Sequence, residues 1–144
     1  MSIQTPASRS KARRFALQAL YQMQMTLCSA GEVEAQFLQD YDMKRVDLVY
    51  LHDLLVGIEG QQPAITAAYG PRLDRPEAEV DPVERAVLLI GTFELLHRID
   101  VPFRVVINES VELAKQFGAA ESHKFINSIL HAIATECRQA ERST

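Results

Sequence analysis

Residues 81–97 read DPVERAVLLIGTFELLH and specify the central element of the fold. An acidic N-cap, a proline at the first helical position and a glutamate three residues after the cap together predict the start of a helix. Apolar side chains then occur almost all the way round that helix, from Val83 to Leu96. Because such a helix has to be buried on most sides, we expect residues 82–97 to form the central helix.

Outward from this helix, apolar residues recur at helical spacing through most of the chain, and no segment alternates over the length of a strand. Proline and glycine positions then give seven predicted helices, near 9–27, 32–41, 46–60, 62–69, 82–97, 103–117 and 121–138. The proline-rich stretch 70–81 predicts a linker between two helical sub-bundles, about 9–69 and 82–138. We therefore predict an all-α fold, a compact bundle of about seven helices in one domain, 1–144, with the sub-bundles packed around the central helix.

Length and composition exclude several classes of protein. A chain of 144 residues with 47% apolar residues is long enough to form one core without disulfides or metals. It contains no run of 18 apolar residues, so we expect no membrane span, and the separated Cys28 and Cys137 are typical of reduced cytoplasmic thiols. It also lacks nucleotide-binding, nucleophile-elbow and zinc-protease motifs. We therefore expect neither an enzyme nor a cofactor or metal site.

The net charge of −4 conceals an uneven distribution. Residues 1–31 contain four cations and no acidic residue, whereas the remaining 113 residues contain 11 basic and 19 acidic residues. The four N-terminal cations are Arg9, Lys11, Arg13 and Arg14. A basic segment on an acidic chain indicates local binding of a polyanion, which the net charge alone would argue against.

The first predicted helix has two different faces. At 100° per residue, one face is an apolar stripe of Ala12, Phe15, Ala16, Ala19, Leu20, Met23 and Leu27. The opposite face carries Lys11, Arg14, Gln18, Tyr21 and Met25. This face fits single-stranded nucleic acid, because cations neutralise phosphates and an aromatic ring stacks on a base. A solvated face with a half-buried Tyr21 is the alternative, and a cleaved transit peptide is disfavoured because it would not need the apolar stripe.

Two phenylalanines in the last two predicted helices are further candidates. Phe117 falls on the apolar stripe of the helix over 103–117, so its periodicity predicts a core residue. Phe125 lies at the edge of the stripe of the last helix, next to Lys124. An aromatic ring beside a lysine at the start of a helix fits base stacking and phosphate binding, and a half-buried packing residue is the alternative.

Several runs of sequence resemble one known family. The runs are RRFALQALY (13–21), DLLVG (53–57), VERAVL (83–88), DVPFRVVINE (100–109), VELAKQFG (111–118) and HKFINSIL (123–130). With them the chain resembles the NusB family over about residues 9–135. The resemblance implies a bacterial, all-helical transcription antitermination factor of the cytoplasm. It further implies binding to single-stranded boxA RNA of nascent ribosomal transcripts, jointly with the small-subunit ribosomal protein NusE, in the RNA polymerase elongation complex with other Nus factors.

The resemblance, together with the outward face of the first helix, assigns residues to two surfaces. The RNA-binding candidates are Arg9, Lys11, Arg13, Arg14, Gln18, Tyr21, Phe117, Glu121, Lys124 and Phe125. For Phe117 the resemblance implies an exposed helix end, against the periodicity. The candidates for the surface that faces NusE lie on the central helix and are Glu84, Val87, Leu88 and Glu94.

Two other functions stay open at this point. One is a helical protein–protein adaptor whose cations form only a solvated face. The other is the RNA-binding module of a ribosomal RNA cytosine methyltransferase, which would need a cofactor-binding domain for which 144 residues leave no room. The oligomeric state is also open, because NusB-like proteins include monomers and dimers, and a homodimer is one way to mask the RNA-binding face.

Overall fold

The computed structural model describes residues 4–142, with Arg142 described by its backbone only, and residues 1–3, 143 and 144 of the predicted domain lie outside that range. Within it the chain forms seven α-helices and no strand, which confirms the all-α prediction. The helices are α1 (Pro6–Thr26), α2 (Ala30–Asp40), α3 (Leu48–Tyr69), α4 (Pro82–His97), α5 (Phe103–Phe117), α6 (Ser122–Cys137) and α7 (Gln139–Arg142). Two short 3-10 turns, Gly70–Arg72 and Glu77–Glu79, lie in the predicted linker. None of the helices described is long and apolar enough to cross a membrane.

One helix replaces two that the sequence predicts. The expected break near residue 61 is absent, and α3 continues with Pro63 inside it. A proline in a helix lacks the amide that would bond to the carbonyl four residues earlier, at a cost of about 3 kcal/mol. Ile58, Ile65 and Tyr69 nevertheless continue one buried stripe across the proline. Burial of side chains of this size contributes about 1.5–3 kcal/mol each, which outweighs the missing hydrogen bond.

Two further differences occur at helix ends. Leu27, predicted to belong to the apolar stripe of α1, is 90% exposed. Because α1 ends at Thr26 and Leu27 caps it in the left-handed conformation (φ 57°), the Leu27 side chain departs from the helical period. The sequence gives no signal for α7, since four residues are too few to show a helical period.

The chain divides into two compact units, Met1–Gly60 and Gln61–Thr144. The division falls inside α3, whereas the sequence predicts a linker at 70–81. The first unit contains α1, α2 and the beginning of α3, and the second contains the end of α3 and α4 to α7. The predicted RNA-binding residues are distributed over both units, so each unit is described by itself.

In the first unit, α1 and α2 both begin with capping boxes. The Ser8 amide donates to Thr5 Oγ1 at 3.0 Å, and the Thr5 amide donates to Ser8 Oγ at 2.8 Å. Ser29 and Glu32 pair in the same way at the start of α2, where the donation from the Ser29 amide lowers the pKa of Glu32. The box at Thr5 fixes where α1 starts and therefore which of its side chains point outward.

In the second unit, α4 is buried throughout residues 86–95, as the sequence predicts for a central helix. Asp81 caps its start and accepts hydrogen bonds from two amides of the first turn. Gly91 has no room for a side chain, since a Cβ there would be 2.8 Å from Ser110 Oγ and 2.7 Å from Leu130 Cδ1. This glycine therefore permits α5 and α6 to pack closely on α4.

Candidate nucleic-acid interface

The four N-terminal cations of α1 point in two directions. Arg9 and Arg13 are four residues apart and lie on one face. Their guanidinium carbons are 4.4 and 5.4 Å from the ring centroid of Tyr50, and Arg9 also pairs with the buried Asp47 at 3.5 Å. Arg13 is only 2% exposed, so its side chain is packed in the first unit and is not available for the RNA contact that the resemblance implies.

Lys11, Arg14 and Gln18 lie on another face of α1, where they border an open pocket of about 520 Å³. The loop between α2 and α3, residues 41–47, forms the rest of its wall. The lining residues are Lys11, Arg14, Phe15, Gln18, Asp42, Lys44, Arg45 and Val46. We call this the cationic pocket, because the fold adds two cations of the loop to two cations of α1.

The charge of the cationic pocket is not balanced by contacts within the protein. Its lining contains the cations Lys11, Arg14, Lys44 and Arg45 and a single acid, Asp42. None of these four cations forms an ion pair with a residue in the described range 4–142. An excess of positive charge without protein partners favours the binding of an external anion such as a phosphate.

The outward face of α1 continues from the pocket to Tyr21, which is 39% exposed. Tyr21 follows Gln18 by three residues and Arg14 by seven, so the three side chains form one row along the helix. Gln18 Nε2 donates to the carbonyl of Arg14 at 3.3 Å. An exposed phenol ring in line with a cation fits the stacking of a base next to a bound phosphate.

In the second unit, predicted RNA-binding residues lie where α5 ends and α6 begins. Phe117 is the last residue of α5 and is 38% exposed, so the core position predicted from its periodicity is wrong and the exposed helix end is confirmed. Gly118 follows. A Cβ at this position would be 2.8 Å from the Ala114 carbonyl oxygen, so this tight turn requires a glycine. Glu121 and Lys124 are exposed and pair with each other at 2.9 Å.

Phe125 is half-buried, and one face of its ring is covered. The Arg75 guanidinium carbon lies 4.9 Å from the ring centroid. Arg75 also pairs with Asp74 at 2.8 Å, and its donated hydrogen bond lowers the pKa of Asp74. Because a cation already occupies this face, a base has to stack on the other face of Phe125 or displace Arg75.

The side chains expected to face a partner protein are mostly buried. Val87, Leu88 and Glu94 are all 0% exposed, because α4 packs against its surroundings on every side over this stretch. A partner protein therefore has no access to these three side chains, which corrects the expectation for them. Glu84, in the first turn of α4, is half-buried and accepts a hydrogen bond from Ser122 Oγ at 2.7 Å.

The structure brings three further cations, Lys44, Arg45 and Arg75, to these surfaces, and none of them is among the residues predicted from the sequence. Lys44 and Arg45 lie in the part of the chain after residue 31, which is acidic as a whole, so the uneven charge distribution does not single them out. Arg75 lies in the predicted linker. The adjacent pair at 44 and 45 is a signal in the sequence, but its position at a pocket with Lys11 depends on the fold.

The polar groups of the cationic pocket are mostly cations. Its polar side chains are ammonium, guanidinium, amide and one carboxylate, with no hydroxyl, thiol or imidazole among the lining residues. Throughout residues 4–142, no group of histidine, cysteine and carboxylate side chains is arranged to hold a metal ion. The chemistry of the pocket is therefore that of anion binding.

Comparison with known proteins points to one family. The model of the NusB family matches residues 10–135. The transcription antitermination protein NusB of Alcanivorax borkumensis is 50% identical over 139 residues, which cover 96% of this chain and 93% of that protein. The protein of the same name from Marinobacter nauticus is 48% identical over 133 residues, or 92% of this chain and 84% of that protein. A solved structure of T. maritima NusB matches with a TM-score of 0.83 and 27% identity, covering 100% of both chains.

Proposed function

Because the chain belongs to the NusB family of transcription antitermination proteins, we propose that it binds the single-stranded boxA RNA of nascent ribosomal transcripts. In this proposal it binds jointly with NusE and acts in the RNA polymerase elongation complex with other Nus factors. Its class is that of a transcription antitermination factor and not of an enzyme.

The observation that carries the proposal is the cationic pocket of the first unit. Single-stranded RNA presents one phosphate per nucleotide, and each phosphate that lysine or arginine neutralises releases counterions. The pocket cations have no ion pair to break within residues 4–142 before they bind a phosphate. The acidic remainder of the chain repels RNA elsewhere, which limits non-specific binding.

Base recognition is assigned to the exposed rings of Tyr21 and Phe117. Stacking of a base on an aromatic side chain contributes about 1–3 kcal/mol. Gln18 and Glu121 carry hydrogen-bonding groups for the Watson–Crick edges of unpaired bases, and Lys124 carries a charge for a phosphate. In this proposal the α1 face and the α5–α6 junction are two separate RNA contacts, one in each unit.

NusE is proposed to extend the RNA-binding surface, so that RNA alone binds weakly and the joint complex binds more tightly. Glu84 remains the candidate contact for NusE, since it retains some exposure. A measured affinity for boxA RNA that is the same with and without NusE would contradict this part of the proposal.

Sedimentation with and without RNA tests whether the free protein masks its RNA face as a homodimer.

The proposal is tested by fluorescence anisotropy with a labelled boxA RNA at low salt, with and without NusE. We expect the double variant Arg14→Glu with Tyr21→Ala to lose at least about tenfold in affinity, because it reverses a phosphate contact and removes a stacking ring. Arg104→Glu is the charge-matched control for the first change. Arg104 is exposed, and within residues 4–142 its one aromatic contact is with Phe103, at 5.3 Å.

Unchanged affinity in the double variant would contradict the assignment of the α1 face. An equal loss in the Arg104→Glu control would mean that only the net charge matters. A chain that captures NusE but shows no affinity for RNA at low salt would be a protein–protein adaptor.

A further inference from the structure

The loop between α2 and α3, residues 41–47, belongs to none of the surfaces assigned from the sequence. It places the exposed residues Lys44 and Arg45 in the same pocket as Lys11 and Arg14. The pocket thus combines two cations of a helix with two cations of a loop, and all four lack an ion pair within the described residues.

Both ends of this loop are fixed to the neighbouring helices. At its start, the Tyr41 ring packs against Phe15 of α1 and Phe37 of α2, with centroid distances of 5.4 and 5.1 Å. At its end, the Asp47 amide donates to the Ser8 carbonyl at 3.2 Å. The Asp47 carboxylate accepts from an amide in the first turn of α3 at 3.0 Å. The loop is therefore held against α1 through two independent anchors.

Between these anchors, local hydrogen bonds define the path of the loop. Asp42 Oδ1 accepts from the Lys44 amide at 3.0 Å, and the Met43 carbonyl accepts from the Val46 amide at 3.1 Å. The single acid of the pocket is thus bonded to the backbone of the loop. Because the backbone around the two cations is already ordered, less conformational freedom is lost when they bind a ligand.

We infer that the α2–α3 loop is a phosphate clamp, in which Lys44 and Arg45 bind backbone phosphates of the same single RNA strand that Lys11 and Arg14 contact. This inference rests on the proposed function and extends it from α1 to a second element. Phe15 and Val46 give the pocket an apolar part, which fits a ribose or a base between phosphates. A volume of about 520 Å³ lies in the range of pockets that hold small ligands, so it accommodates one nucleotide.

The test compares the salt dependence of RNA binding in the unsubstituted 144-residue chain and in the variant Lys44→Ala with Arg45→Ala. The probe is the labelled boxA RNA used to test the proposed function. Each phosphate contact on a single strand contributes about −0.7 to the slope of log Kobs against log salt concentration. We expect the double variant to lose about tenfold in affinity at low salt and about 1.4 of that slope.

Arg104→Glu is the matched control, because it changes the net charge by the same amount at an exposed position of the second unit. We expect this control to keep the wild-type slope. Thermal unfolding of all variants checks that each one is folded at the temperature of the titration.

Three results overturn the inference or its basis, and they are distinguishable. If Lys44→Ala with Arg45→Ala keeps the wild-type affinity and slope while Arg14→Glu with Tyr21→Ala loses binding, the clamp is wrong and the proposed function stands. If neither double variant loses binding, the proposed function fails as well. If Arg104→Glu reduces the slope as much as the loop variant, the loop has no specific role.

Discussion

The cations of the two units are used in different ways. In the second unit most cations pair with a carboxylate, namely Arg72, Arg75, Arg85, Arg98, Lys115, Lys124 and Arg138. In the first unit, the four cations of the pocket form no ion pair with any residue from 4 to 142. Paired cations are neutralised within the fold, whereas clustered unpaired cations repel one another and attract an external anion. Substitutions of the pocket cations should therefore affect ligand binding. Substitutions of the paired cations should affect stability, except at the α5–α6 junction, where Lys124 is also proposed to contact RNA.

The largest expected effect on stability is at Arg138, which is buried. Its guanidinium donates to the carbonyls of Glu94, Leu95, Arg98 and Val101, at 2.9–3.0 Å, and to Glu141. Arg138→Met removes these five hydrogen bonds of a buried guanidinium and leaves Glu141 without its cation, so we expect a loss of about 3–5 kcal/mol in the free energy of unfolding. Urea unfolding measures the loss, and a value below about 1 kcal/mol would contradict a structural role.

A smaller loss is expected at Asp47, the buried acid of the first unit. It pairs with Arg9 at 3.5 Å and caps the first turn of α3. We expect Asp47→Ala to cost about 2 kcal/mol and also to weaken RNA binding, because the α2–α3 loop loses the side-chain contacts of its second anchor and keeps only the backbone bond to Ser8. Asp42→Ala, at an exposed position of the same loop, is the control and should cost less than about 1 kcal/mol. Equal losses in the two variants would show that the anchor does not stabilise the loop.

Removal of the pocket cations should not lower the free energy of unfolding, unlike the substitutions above. Lys44→Ala with Arg45→Ala removes like-charge repulsion in the pocket, so we expect the free energy of unfolding to stay unchanged or to rise by up to about 0.5 kcal/mol. Lys115→Ala, which breaks the exposed pair with Glu112 at 3.9 Å, should lower it by about 0.2–0.5 kcal/mol. Chemical unfolding of both variants measures these changes. A clear loss of stability in the loop variant would mean that Lys44 or Arg45 has a stabilising partner in the fold.

The smallest effect depends on pH. The Phe103 amide and Arg138 hold the pKa of Glu141 below its ordinary value of 4.5. A lowered pKa in the folded state gives stability that is complete above this ordinary value and is lost as the pH falls through the pKa of the folded state. We therefore expect Glu141→Gln to be less stable than the natural chain at neutral pH, with a difference that shrinks below about pH 4. Unfolding curves at several pH values check this, and a difference that stays constant into acid would contradict the ion pair.

The sequence predicts the centre of the fold better than it predicts helix ends. The apolar pattern of α4 indicates burial directly, because its apolar residues occur on all sides. The same pattern excludes Val87 and Leu88 from a partner surface, which the resemblance alone does not reveal. Phe117 and Leu27 lie at helix ends, where helical spacing no longer predicts whether a side chain is buried.

The candidate site is predicted only in part, because it is built from segments that are distant in sequence. Arg13 lies four residues before Leu17 and seven before Leu20, so it shares their buried face. Lys44 and Arg45 follow an acidic stretch, and their place beside α1 depends on contacts over about 30 residues of sequence. Residues on one helix face are predictable from spacing, whereas the loop that completes the pocket requires the fold.

We claim that the four cations of the cationic pocket, Lys11, Arg14, Lys44 and Arg45, bind single-stranded RNA. This is tested by photo-crosslinking of the 144-residue chain to boxA RNA that contains 4-thiouridine, followed by mass spectrometry of the crosslinked peptides. We predict crosslinks within 11–21 and 41–47 that weaken in the Lys44→Ala with Arg45→Ala variant. Specific binding with crosslinks that lie entirely outside these two segments would contradict the claim.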